Sequence, residues 1–62
     1  MCLSTVYKNK MEEASIVMKN VMRIECKDGQ VLLTDLMDRT VAIDGTLVQA
    51  NLVDGFVIVK EN

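Results

Sequence analysis

The chain has 62 residues, half of them hydrophobic but only 3% aromatic, with a formal net charge of −2, two cysteines, and neither histidine nor proline. A single domain over residues 1–62 is expected, with a marginal core, because a chain this short buries only about 60% of the surface it exposes when unfolded. The acidic balance argues against a nucleic-acid surface built on clustered cations. The lack of histidine and of a Gly-rich phosphate loop removes the common nucleophilic, zinc-hydrolase and nucleotide-binding signatures, so no enzyme is expected.

In chain order, Leu3-Ser4-Thr5-Val6-Tyr7 reads as a first strand and Asn9 to Glu13 as a charged loop. Ser15 to Met18 reads as extended before a turn at Lys19-Asn20, although Met11, Ala14, Ser15 and Met18 also fit a helical stripe over 11–18. Three Asp-Gly dipeptides then punctuate the chain at Asp28-Gly29, Asp44-Gly45 and Asp54-Gly55. Each reads as a tight hairpin, because a type I′ turn needs positive φ at both central residues, which Gly adopts freely and Asp better than most.

Two-residue register around Asp28-Gly29 pairs Lys27 with Gln30, Cys26 with Val31, Ile24 with Leu33 and Met22 with Asp35, which gives strands 21–27 and 30–36 a dry face and a mixed face. Around Asp44-Gly45 it pairs Ile43 with Thr46, Ala42 with Leu47 and Val41 with Val48. Around Asp54-Gly55 it sets Leu52 opposite Val57 and Ala50 opposite Val59, with Val53, Phe56 and Ile58 on the other side. This last hairpin is apolar on both faces, as a closed core or a dimer face requires. About six short antiparallel strands joined by tight turns give an all-β fold, a small SH3-like barrel.

Cys26 alternates with Met22 and Ile24 along its strand, so it reads as a small core residue. Glu12-Glu13 and the Asp35/Asp38 pair read as solvated surface. Cys2 is different, since a chain terminus is rarely a packed position. It is either incidental, a disulfide partner or a metal ligand. One chain offers too few soft donors for a complete site. Two copies supply two thiolates and two backbone or terminal nitrogens, a set suited to square-planar nickel or copper(II).

No apolar run approaches the roughly 18 to 20 residues of a membrane span, and no basic, then hydrophobic, leader opens the chain. A cytoplasmic location is therefore expected, with no membrane partner, and both cysteines are expected as thiols.

The Met1-Cys2 start, the Met18-Lys19-Asn20-Val21 turn, the hairpin through Asp28-Gly29, the Thr34-Asp35-Leu36 stretch and the closing Ala50-Asn51-Leu52 and Val57-Ile58-Val59 segments resemble the CooT family over essentially the whole chain. Asn20 and Met37-Asp38 depart from the Asp and Phe-Gly frequent there. The resemblance implies an SH3-like homodimer serving the maturation of nickel carbon monoxide dehydrogenase, with Ni(2+) at the dimer interface on the cysteine after the initiator. Only Cys2 carries that site over, with Met1 beside it: where Met1 is retained, the chelate consists of the Met1 amine, the Cys2 amide and the Cys2 thiolate. The alternative expectation is a small RNA-binding barrel. Its support is thin, since the basic residues are scattered and base stacking would fall to Tyr7 and Phe56 alone, so a nucleic-acid partner is not expected.

Overall fold

The computed structural model describes residues 3–62. Its strands are β1 (Ser4–Lys8), β2 (Ile16–Lys27), β3 (Gln30–Asp35), β4 (Thr40–Asn51) and β5 (Phe56–Glu61), with one 3-10 turn at Glu13–Ser15 in place of a helix over 11–18. The five strands close into a barrel in sequence order. The all-β expectation holds, with two corrections. There are five strands rather than about six, and the pair that closes the ring, β1 with β5, is parallel, running from Thr5 opposite Phe56 to Lys8 opposite Val59.

The strand number falls because two expected turns are absorbed into long strands. At Lys19-Asn20 the chain does not reverse: Asn20 takes a φ of 56° inside β2, a conformation Asn tolerates well. The next residue, Val21, pairs with Ser4 of β1 and with Asp35 of β3, so β2 passes from one neighbour to the other there. Asp44-Gly45 is likewise no hairpin. Asp44 pairs with Gln30 of β3 and Gly45 with Glu61 of β5, so β4 changes partner at that dipeptide. Gly45 is required for closeness instead of positive φ, because a Cβ there would run into the Lys60 carbonyl oxygen.

The Asp28-Gly29 hairpin forms as expected, with φ of 52° and 77°, and it pairs Lys27 with Gln30, Cys26 with Val31 and Ile24 with Leu33. The ladder then slips between Val21 and Arg23. Val21 rather than Met22 faces Asp35, and Met22 moves to the surface. Near the end of the chain the turn is longer than the two residues expected, since Asn51 pairs with Phe56 and Ala50 with Val57. Leu52 and Val53 therefore leave the sheet and stand in solvent at 71% and 94% exposure.

The core is aliphatic: Val6, Val21, Val31, Leu33, Ile43, Val57 and Val59 are buried, and Val17, Met18, Ile24 and Leu47 pack against them. Each fully buried side chain of this kind contributes about 1.5–3 kcal/mol relative to exposure. The C-terminal end of β5 is tied down as well. The Asn9 side-chain oxygen accepts from the Glu61 amide at 2.9 Å, and the Asn62 amide donates to the Asp44 carbonyl at 2.9 Å. Among the described residues no helix is long and apolar enough to cross a membrane.

Candidate metal centre

Met1 and Cys2, the expected metal-binding pair, lie outside the described residues. Leu3, the first described residue, fixes where the chain enters the barrel. Its carbonyl oxygen lies 3.4 Å from the point a Gly55 Cβ would occupy, and two residues on the Thr5 amide donates to the Gly55 carbonyl at 2.9 Å. On the other side Ser4 pairs with Val21. The N-terminal entry thus runs between the β4–β5 turn and the midpoint of β2.

That turn is rigid for reasons its sequence carries. The Asn51 side-chain oxygen accepts from the Val53 amide at 3.1 Å and from the Asp54 amide at 2.9 Å, while its nitrogen donates to Asp54 Oδ2 at 3.1 Å. The Gly55 amide closes the loop onto the Asn51 carbonyl at 2.9 Å, with Gly55 at a φ of 76°. Asx-type bonding of this sort fixes a backbone without needing a core beneath it.

Cys26 contradicts its expected burial. It is exposed, beside a cleft of about 330 Å³ lined by Cys26 to Val31 and by Gly45 to Leu47. Cys26 keeps its expected place opposite Val31, but among the described residues β2 has no β1 partner beyond Val21, so the outer end of the hairpin is uncovered on that edge. From Val21, the partner of Ser4, to Cys26 is five strand steps, about 16 Å. Cys26 is therefore remote from the N-terminal entry of its own chain. Among the described residues, no group of three or more His, Cys, Asp or Glu side chains comes together to hold a metal ion.

Asp35 also departs from expectation, being buried at 3% exposure rather than solvated. Its Oδ1 accepts from the Met37 and Arg39 amides, each at 2.9 Å, and its Oδ2 from Arg39 Nε at 2.8 Å. The Arg39 backbone amide does most to hold this carboxyl below its ordinary value; burial opposes it, and the Arg39 guanidinium and the Met37 amide add to the lowering. A carboxylate committed to three such bonds serves the β3–β4 turn. The sequence signal is Asp35 followed by Leu-Met-Asp-Arg, an Asp two residues ahead of an amide it can bond. Asp38, Glu12 and Glu13 are exposed, as expected.

The family of the CO dehydrogenase accessory protein CooT matches residues 1–60, from Met1 through nearly all of β5. The chain belongs to the CooT family. Its fold is similar to that of the crystal structure described as "putative CooT from Carboxydothermus hydrogenoformans", with a TM-score of 0.85 over 98% of each chain at 16% sequence identity. At that identity the likeness is one of fold. No curated protein matches the chain. CooT is a family of accessory proteins, and in this member Leu3 lies beside the β4–β5 turn while no cluster of metal-ligating side chains forms among the described residues.

Proposed function

We propose that this CooT protein is an SH3-like barrel that works as a cytoplasmic homodimer. It receives Ni(2+) between the Cys2 thiolates of two copies and passes the ion to nickel carbon monoxide dehydrogenase or its maturation factors. The observation that carries this reading is the family match through Cys2 to a chain with no histidine, whose second cysteine stands about 16 Å along β2 from the N-terminal entry. A soft-donor site in this protein has Cys2 to build on, and two copies to complete it.

The donor chemistry fits the ion. Each thiolate forms a five-membered N,S chelate ring with its own Cys2 backbone nitrogen, and a retained Met1 amine adds a five-membered N,N ring with that amide, a set that suits the tetragonal preference of nickel(II). Thiolates bind only when deprotonated, so affinity rises with pH and falls on acidification. An ion held at a chain terminus is open to a second protein's ligands, which a handing-on role requires.

Adding Ni²⁺ to the purified protein is expected to produce a thiolate-to-nickel charge-transfer band that is lost in Cys2→Ala and retained in Cys26→Ala. Undiminished nickel affinity in Cys2→Ala contradicts the assignment. Salt-sensitive RNA binding that ignores Cys2→Ala would favour the small RNA-binding barrel instead.

A further inference from the structure

Between β2 and the β3–β4 turn lies a second cleft, of about 390 Å³, lined by Val17 to Asn20 of β2, by Asp35 and Arg39 at the two ends of the turn, and by Val41 of β4. It follows from the way β2 changes neighbours. Before Val21 the strand pairs only with β1 among the described residues, so its other edge is open from Val17 to Lys19. The opening ends at Asn20, whose carbonyl accepts from the Leu36 amide at 2.9 Å. There β3 gives way to the turn, and the cleft occupies the place beside β2 where β3 would otherwise have continued. An unpaired strand edge is a template for another strand.

The charges of the cleft have one sign to spare. Arg39 Nε is committed to Asp35 Oδ2 at 2.8 Å, which fixes the guanidinium, while its two Nη groups have no partner among the described residues. Lys19 is exposed and enters no ion pair among those residues. Since Asp35 and Arg39 cancel, Lys19 leaves the cleft one positive charge in excess, in a chain whose formal net charge is −2. The cleft beside Cys26, by contrast, sets Lys27 next to Asp28. Around the two cations the lining is aliphatic, with Val17 and Met18 half-buried and Val41 exposed. A single carboxylate flanked by aliphatic groups matches this set. A polyanion does not, because only two cations line the cleft and Asp38 stands exposed in the same turn.

We propose that this cleft docks an extended, acidic-aliphatic segment of another protein, which pairs its backbone with the open edge of β2 at Val17 to Lys19 and places one carboxylate between Arg39 and Lys19. Backbone pairing supplies affinity and the carboxylate fixes the register. A guanidinium already oriented by Asp35 offers its remaining N–H groups at little further cost in side-chain entropy. The site lies on the edge of β2 away from β1 and does not depend on the reading of Cys2.

The test is a titration of the ¹⁵N-labelled full chain with the end-capped pentapeptide Thr-Val-Asp-Val-Thr, followed by amide shifts. Shifts concentrated in Val17 to Asn20 and in Met37 to Val41 are expected. The same peptide with Asn in place of Asp, and the original peptide with Lys19→Glu, are each expected to bind at least about tenfold more weakly. Lys27→Glu, which alters a cation beside the other cleft, is expected to keep the parental affinity. Lys19 lies outside the core, so Lys19→Glu should melt as the parent does, and the Asn peptide tests the carboxylate without altering the protein. No binding, shifts scattered over the barrel, or equal binding by the Asn peptide or by Lys19→Glu would overturn the proposal. Sodium acetate reproducing the same shifts at the same concentrations would mean a bare anion site and would overturn the strand pairing. Oligouridylate binding the cleft more tightly than the peptide would overturn the proposal in favour of nucleic acid.

Discussion

Asp35 shows how one carboxylate organises a turn in a domain with little core to spare. Its folded value is depressed, and the unfolded chain has the ordinary value near 3.8, so its contribution to stability is fully present above 3.8. It is lost as pH falls from there through the lower folded value. Urea midpoints measured across this acid range should drop in the parent and drop less in Asp35→Asn, which starts lower but lacks the titrating group; parallel profiles would contradict the assignment. The burial of Asp35 is hard to read in sequence because nothing in Asp35-Leu36-Met37-Asp38-Arg39 says that the Arg39 amide and guanidinium fold back on it. Cys26 errs in the other direction. Its hydrophobic neighbours imply a buried face and its pairing with Val31 is as expected, but among the described residues β2 has no β1 partner beyond Val21, so Cys26 stands at an open end.

Among the elements, β2 and β4 are each twelve residues long and shared between two neighbours, and these two strands turn a sheet into a closed ring. The Asp28-Gly29 hairpin is legible because its requirement, positive φ at adjacent residues, is local. Asp44-Gly45 has the same letters and a different role, since its glycine answers to the Lys60 backbone in the next strand, which no local pattern reports. Gly45→Ala is accordingly expected to cost about 1–3 kcal/mol through forced displacement of β5. Gly29→Ala leaves its neighbours untouched and meets only the penalty of a positive φ, about 1–2 kcal/mol. Thermal melts compare the two, and a Gly45→Ala protein as stable as the parent would remove the reason given for β4 changing partner there. The four-residue turn after Asn51 is half legible. Its Asp-Gly marks the reversal, while the Asn51 bonds that lengthen it appear only in three dimensions.

For the molecule as a whole, five strands close into a ring around a core that, among the described residues, consists of seven buried aliphatic side chains. The apolarity of the closing hairpin on both faces, which the sequence shows but does not apportion, resolves into inward Val57 and Val59, half-buried Phe56 and Ile58, and the exposed pair Leu52 and Val53. Of the proposed metal site, only Cys2 itself is legible in the sequence. The lack of clustered donors among the described residues and the hydrogen-bonded turn beside Leu3 belong to the fold. In the proposed site association and metal binding support each other, and nickel at 100 times its dissociation constant would add about 2.7 kcal/mol to the bound form. Sedimentation combined with nickel quantification on the same sample tests the shared site most directly. Saturation at one nickel per two chains, with the ion confined to the dimer, is expected, whereas one nickel per chain on a monomer would contradict a shared site.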